Sequence, residues 1–395
     1  MSRPSSSVHG PAGVAALRDV YRRALLDDVM PFWLRHGRDD RHGGFSNVLD
    51  DAGNALGFDK FLWSQGRALW TLSAMHRRVQ SDGPWLDFAT HVYRYLATHG
   101  RDDRGHWVYR LDADGRVLEG DTSIAVDAFV MNGLGEYAAA SGDREALDLA
   151  LATQASVAAR LARPGSYGFA PYGIPEGMKN LGVAMLYSLF FFELGEVADR
   201  DDIRREGLRF VDEILDEFHV REHDALLEFV SLDGRFVDSP AGRTCVPGHG
   251  IEALWFAISI LERSGGSPRI ADAVRLIRRH LEIAWDPEHG GLSLAVDIAG
   301  REPVFWKRHD CKPWWVQVEA LVATAYAHAH SGEPWCLEWH DRIREWAFAR
   351  YPVATGEWRQ WLDREGRPTT SAALPVKDPF HLPRALMALI DVLGR

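Results

Sequence analysis

Three features of the sequence predict an all-α fold, an (α/α)6 barrel with short β-hairpins in its loops. Twelve stretches carry apolar residues at helical spacing. They alternate in character. One kind is apolar on nearly every side and the other bears a polar stripe, so the first belongs to an inner ring and the second to an outer ring. Between them returns an alternating, strand-like unit closed by Asp-x-x-Gly, and such internal repetition points to a toroid.

In chain order, helices are expected over 12–33, 60–78, 85–99, 122–140, 143–161, 176–197, 201–218, 249–263, 267–285, 312–331, 334–350 and 379–393. The repeating unit is read at 43–53, 105–115, 290–300 and 356–366, with a weaker copy at 227–234, each between the end of one helix and the start of another. It reads as a small hairpin inserted in a loop. Ser123-Ile124-Ala125-Val126-Asp127-Ala128-Phe129 exemplifies the all-round apolar helix. Arg275, Arg278 and Arg279, at i, i+3 and i+4, form the polar stripe of an outer one. Six helical hairpins closed in a ring start every inner helix at one rim. The stretches around Arg67, Asn180, His249, Trp315 and His381 should therefore share a single mouth. No linker, composition shift or charge block divides the chain, so residues 12–395 read as one catalytic domain behind a disordered tail of residues 1–11.

Composition narrows the function. A formal net charge of −11 with no basic stripe argues against a nucleic-acid partner. The longest apolar run, around Leu186 to Phe192, is interrupted by Glu193 and Asp199, which argues against a membrane span. Met1 to Ser7 lacks the apolar core of a signal peptide, and Cys245, Cys311 and Cys336 have no metal-ligand spacing. A cytoplasmic protein without disulfides is expected. Fifteen tryptophans suit a sugar, whose apolar ring face packs on flat aromatics.

Two histidines stand out by context. In Pro247-Gly248-His249-Gly250-Ile251-Glu252 a Pro-Gly break puts His249 in the first turn of a helix, where the dipole disfavours an imidazolium. Glu252, one turn on, could orient its ring. Asp378-Pro379-Phe380-His381 repeats the arrangement at the last helix, so His249 and His381 are expected across one pocket. Trp63, Arg67 and Trp70 share one helix face, and Trp315 and Glu319 another. Two histidines without a metal-ligand set suit abstraction of the proton beside a sugar carbonyl. Proton return to C2 gives the 2-epimer and return to C1 gives a ketose. Arg67 would stabilise the oxyanion.

The stretches Lys60-Phe61-Leu62-Trp63-Ser64-Gln65-Gly66-Arg67, Pro247-Gly248-His249-Gly250-Ile251-Glu252, Lys312-Pro313-Trp314-Trp315-Val316-Gln317-Val318-Glu319 and Phe380-His381-Leu382-Pro383-Arg384 resemble, in order, the signatures of the N-acylglucosamine 2-epimerase superfamily. That group includes cellobiose and mannose 2-epimerases and mannose isomerases. The resemblance implies metal-independent proton transfer by His249 and His381 without a cofactor, and substrate contacts from Arg67 and Glu252. Trp63, Asn180, Trp315 and Glu319 complete the candidate binding set. One departure concerns the start of the sixth helix, where several members carry histidines and this chain has Gly182 and Ala184. The expected partner is a free sugar, with a homodimer as the assembly to test. The alternatives are an aldose-ketose isomerase and, from another class, a glycoside hydrolase on the same fold using Asp121, Asp127 or Glu176.

Overall fold

The computed structural model describes residues 11–163, 165–303, 308–369 and 376–395. Residues 1–10 of the expected tail lie outside them, and helix α1 already begins at Pro11.

The helices are α1 (Pro11–Arg23), α2 (Met30–His36), α3 (Leu62–Ala74), α4 (Trp85–His99), α5 (Ile124–Ser141), α6 (Arg144–Leu161), α7 (Leu181–Val197), α8 (Asp201–Glu213), α9 (Pro247–Arg263), α10 (Arg269–Ala284), α11 (Trp314–Ser331), α12 (Pro334–Phe348) and α13 (His381–Val392). A π-helical turn, Ala24–Val29, joins α1 and α2 into one rod, which leaves twelve rods among the described residues. Further π turns, Met75–Val79 and Ile214–Phe218, extend α3 and α8. Local chemistry sets the ends. Asp143 accepts the Ala146 N–H at the start of α6, and left-handed glycines, Gly142 at φ 76° and Gly332 at φ 65°, close α5 and α11.

Helices α3, α5, α7, α9, α11 and α13 pack in succession as the inner ring, the first five each against the outer helix that follows, and α1 covers α13. The ring closes where the Trp70 and Phe380 rings meet edge to face at 5.6 Å and Thr71 Oγ1 donates to the Pro379 carbonyl. Inner helices are buried nearly all round, as α7 shows from Leu181 to Leu194.

The hairpin expectation needs refinement. Local bridges such as Arg101 with Trp107 do form, and so does the pair β5 (His219–Val220) with β6 (Ala225–Leu226). Most strands, however, pair at longer range. The lead-in to each of four inner helices pairs with the loop that leaves its outer partner. These pairs are β1 (Lys60–Phe61) with β2 (Arg110–Leu111), β4 (Met178–Asn180) with β7 (Phe229–Ser231), β8 (Thr244–Cys245) with β9 (Val296–Asp297), and β10 (Lys312–Pro313) with β11 (Trp361–Leu362). One further strand, β3 (Val117–Glu119), extends the first pair. Each helical hairpin is thus clipped shut at the rim where it began.

The first and fourth of these units repeat in detail. Lys60 Nζ binds Asp39 at 2.6 Å, and Gln65 exchanges two hydrogen bonds with the Phe45 backbone, at 2.7 and 2.8 Å. Lys312 binds Asp286 at 3.1 Å, and Gln317 does the same to Leu292, at 3.0 and 2.8 Å. In both units a tryptophan follows the lysine by three residues and a charged residue by seven. Trp63 and Trp315, and Arg67 and Glu319, are therefore structural equivalents facing the barrel axis.

Candidate active site

The inner-helix rim encloses a cleft with about 1090 Å³ of empty space, its open mouth included. Trp63, Arg67, His249, Glu252, Trp315 and His381 all line it. Asn180 and Glu319, also expected at the ligand, stand behind the wall and hold the histidines in place.

His249 sits in the first turn of α9, after Pro247 at the helix start. Its Nδ1 lies 2.9 and 3.1 Å from the two carboxylate oxygens of Glu228. Glu228 is 1% exposed and takes a 2.7 Å hydrogen bond from Asn180 Nδ2. This corrects two sequence expectations. Glu228, and not Glu252, orients the ring. Burial disfavours the imidazolium, but the Glu228 carboxylate outweighs it, so the His249 pKa is raised above 6.5 and not held down by the helix dipole.

His381 opens α13 and is buried. Its Nδ1 donates to Glu319 Oε1 at 2.7 Å, and its Nε2 faces Arg67 Nη2 at 3.4 Å. Burial, aided by the Arg67 and Arg384 guanidinium groups, holds its pKa well below 6.5. The pair is therefore asymmetric, with one imidazole biased toward the cation and the other toward the neutral form. Trp315 packs against both, its ring 5.2 Å from that of His249 and 5.7 Å from that of His381.

Behind His381, Glu319 also accepts from Arg384 at 2.7 Å and from Trp255 Nε1 at 3.0 Å, while the same Arg384 nitrogen reaches Glu252. Glu252, Glu319 and His381 are the one group among the described residues with the donors for a metal ion, and the Arg384 guanidinium already bridges its two carboxylates. Arg67 packs over the Phe129 ring at 4.1 Å and the Trp63 ring at 4.7 Å, and pairs with Asp378 at 3.3 Å. A planar cation held by three fixed neighbours is aimed, not free.

Sequence reasoning missed Glu228, Asp378 and Arg384 as functional neighbours. Asp378 and Arg384 each stand three residues from His381, a spacing that could have flagged them. Nothing marks a single glutamate in a short strand-like stretch. The departure at Gly182 also resolves physically, because a Cβ there would lie 3.2 Å from the Phe169 ring and 2.9 Å from Asn180 Oδ1. Phe169 fills the room an imidazole would need. Of the hydrolase candidates, Asp121 and Asp127 both pair with Arg160 and Glu176 is exposed, and none of the three lines the cleft.

Residues 43–385 match the family model described as N-acylglucosamine 2-epimerase (GlcNAc 2-epimerase). The N-acylglucosamine 2-epimerase of Mus musculus is 30% identical over 392 residues, covering 93% of this chain and 90% of that protein. Among solved structures, the cellobiose 2-epimerase of Spirochaeta thermophila superposes with a TM-score of 0.83 at 22% identity, covering 97% of this chain and 98% of that one. A D-mannose isomerase superposes with a TM-score of 0.76 at 15% identity, covering 100% and 99%. The fold is thus the (α/α)6 barrel of these enzymes.

Proposed function

The chain belongs to the N-acylglucosamine 2-epimerase family, and from that premise we propose that it interconverts free aldoses, of the mannose/glucose type or N-acetylhexosamines, by moving a proton between the two faces of C2. It is an isomerase-class carbohydrate epimerase; the sugar, the metal-independence and the two-histidine chemistry are the proposal. The observation that carries it is the asymmetric pair, His249 and His381, lining one cleft and both packed against Trp315.

In this reading the open-chain aldose lies against Trp315 with C2 between the imidazoles. Neutral His381 takes the C2 proton through Nε2, and the C–H electron pair moves toward C1 and onto its oxygen, giving an enediolate, or the C1 enolate where C2 carries an acetamido group. Arg67, held beside His381, meets the charge that develops there. His249, protonated at Nε2, then delivers its proton to the opposite face of C2. Solvent resets both rings, and the reverse reaction exchanges their roles. The Arg384 cation between Glu252 and Glu319 supports chemistry that needs no metal at those carboxylates. Three unpaired, buried cysteines suit the cytoplasmic setting, and no helix among the described residues is long and apolar enough to cross a membrane.

The test is incubation in heavy water with N-acetylglucosamine, N-acetylmannosamine, mannose, glucose and cellobiose, with and without EDTA. Deuterium at C2 of the epimeric product, at an EDTA-insensitive rate, is the expected result. A ketose labelled at C1 would assign the aldose-ketose isomerase instead, and monosaccharide released from cellobiose would assign a hydrolase.

A further inference from the structure

We infer that Glu228, a residue outside every helix, decides which of the two histidines enters turnover carrying the proton, and that Asn180 locks it into that role. The inference rests on the two-histidine reading for its catalytic meaning but not for its geometry.

Glu228 lies between β6 and β7 with its backbone pinned on both sides. Its N–H donates to the Thr244 carbonyl at 2.8 Å, and its own carbonyl accepts the Leu181 N–H at 2.9 Å. The carboxylate is therefore delivered to one place, under the first turns of α7 and α9. Among the described residues no lysine or arginine pairs with it, and His249 is its one ionic partner. A buried carboxylate needs a counter-charge, and among the described residues the group positioned to supply it is the imidazolium of His249. The asparagine cannot be read the other way round. Its Oδ1 is committed to the Val183 N–H as the cap of α7, which leaves Nδ2 to donate to Glu228.

His381 has the same Nδ1-to-glutamate bond but not the same charge count. Glu319 is shared with Arg384, and Arg67 stands at the far side of the imidazole. A proton on His381 would add a third cation there, whereas a proton on His249 completes an otherwise unpaired anion. Among the described residues, the charged and titratable groups around His249 are Glu228 from the loop, Glu252 on its own helix and already bound by Arg384, His381 across the cleft with Arg67 beside it, and Tyr172 in the cleft wall, whose hydroxyl also feels Glu228. Glu228 is the one among them that touches the ring. It does not line the cleft, so it is a positioning residue: it points His249 Nε2 into the cleft and loads it.

The experiment is a pH titration of 15N-labelled imidazoles followed by NMR in the intact protein, with His249→Asn and His381→Asn assigning the signals. In Glu228→Gln the His249 midpoint should fall by about one pH unit or more while the His381 signal stays in place. The alkaline limb of kcat/KM should move down by the same amount, with kcat falling more than KM rises. Asn180→Asp keeps the helix cap but sets a second carboxylate against Glu228, and should raise the His249 midpoint. That variant decides the matter alone if circular dichroism shows Glu228→Gln unfolded. A His249 midpoint unmoved in the folded variants would overturn the inference. A midpoint that moves without the kinetic limb would keep the Glu228 assignment and sink the two-histidine chemistry instead.

Discussion

Arg67 Nη2 lies 3.4 Å from His381 Nε2. In so dry a site a guanidinium this close keeps the imidazole neutral, and it is already where an oxyanion on C1 would need a donor. Arg67→Lys keeps the charge but loses the flat contact with Phe129 and Trp63 and the two-pronged geometry. It should lower kcat roughly 100-fold with a smaller change in KM. Arg67→Met should cost more activity and also lower the thermal midpoint, because Asp378 is left buried without its partner. Steady-state kinetics beside a melting curve check both.

The opposed shifts set the pH profile. The active form has His249 protonated and His381 neutral, so kcat/KM should fall on the alkaline side as His249 deprotonates above its ordinary 6.5, and on the acid side only well below 6.5. Stability carries the same signs. Raised in the fold, His249 stabilises fully below the unfolded value near 6.5, and that contribution is lost as pH rises through its folded pKa. His381, depressed in the fold, withdraws stability as pH falls below 6.5. A profile peaking below pH 5 would contradict the assignment.

Gln317→Leu removes both hydrogen bonds to the Leu292 backbone in a fully buried place. Two stranded backbone groups should cost on the order of 2–4 kcal/mol, read by urea unfolding. The catalytic side chains themselves remain, so the folded fraction should keep its pH profile.

Gly182→Ala puts a methyl group against Phe169 and Asn180 Oδ1. Displacing the Asn180 side chain loosens the cap of α7, a loss of about 1 kcal/mol. It also disturbs Glu228 behind His249. Activity should fall by roughly tenfold, more than that stability change would suggest, as paired kinetics and melting measurements would reveal.

Much of this arrangement was legible in the sequence because helical periodicity is local. The span 85–99 of α4 follows from apolar spacing, and the start of α6 from the capping residue Asp143. His249 and His381 were legible because each sits beside a proline at a helix start. The strand pairings were not, since three-residue strands such as β4 and β7 find each other across some fifty residues. Nor was Glu228, whose role comes from backbone pinning by Thr244 and Leu181, far from His249 in sequence. The charge state of His249 was misread for the same reason. A helix dipole is visible in sequence, but a carboxylate arriving from a loop is not.

The central claim is that two imidazoles serve opposite faces of one carbon, and single-histidine variants in heavy water test it most directly. His249→Asn and His381→Asn should each lose nearly all net epimerisation while still exchanging the C2 proton of one sugar epimer, and the two variants should act on opposite epimers, as followed by proton NMR. Exchange of the same epimer by both variants, or undiminished epimerisation in either one, would contradict it.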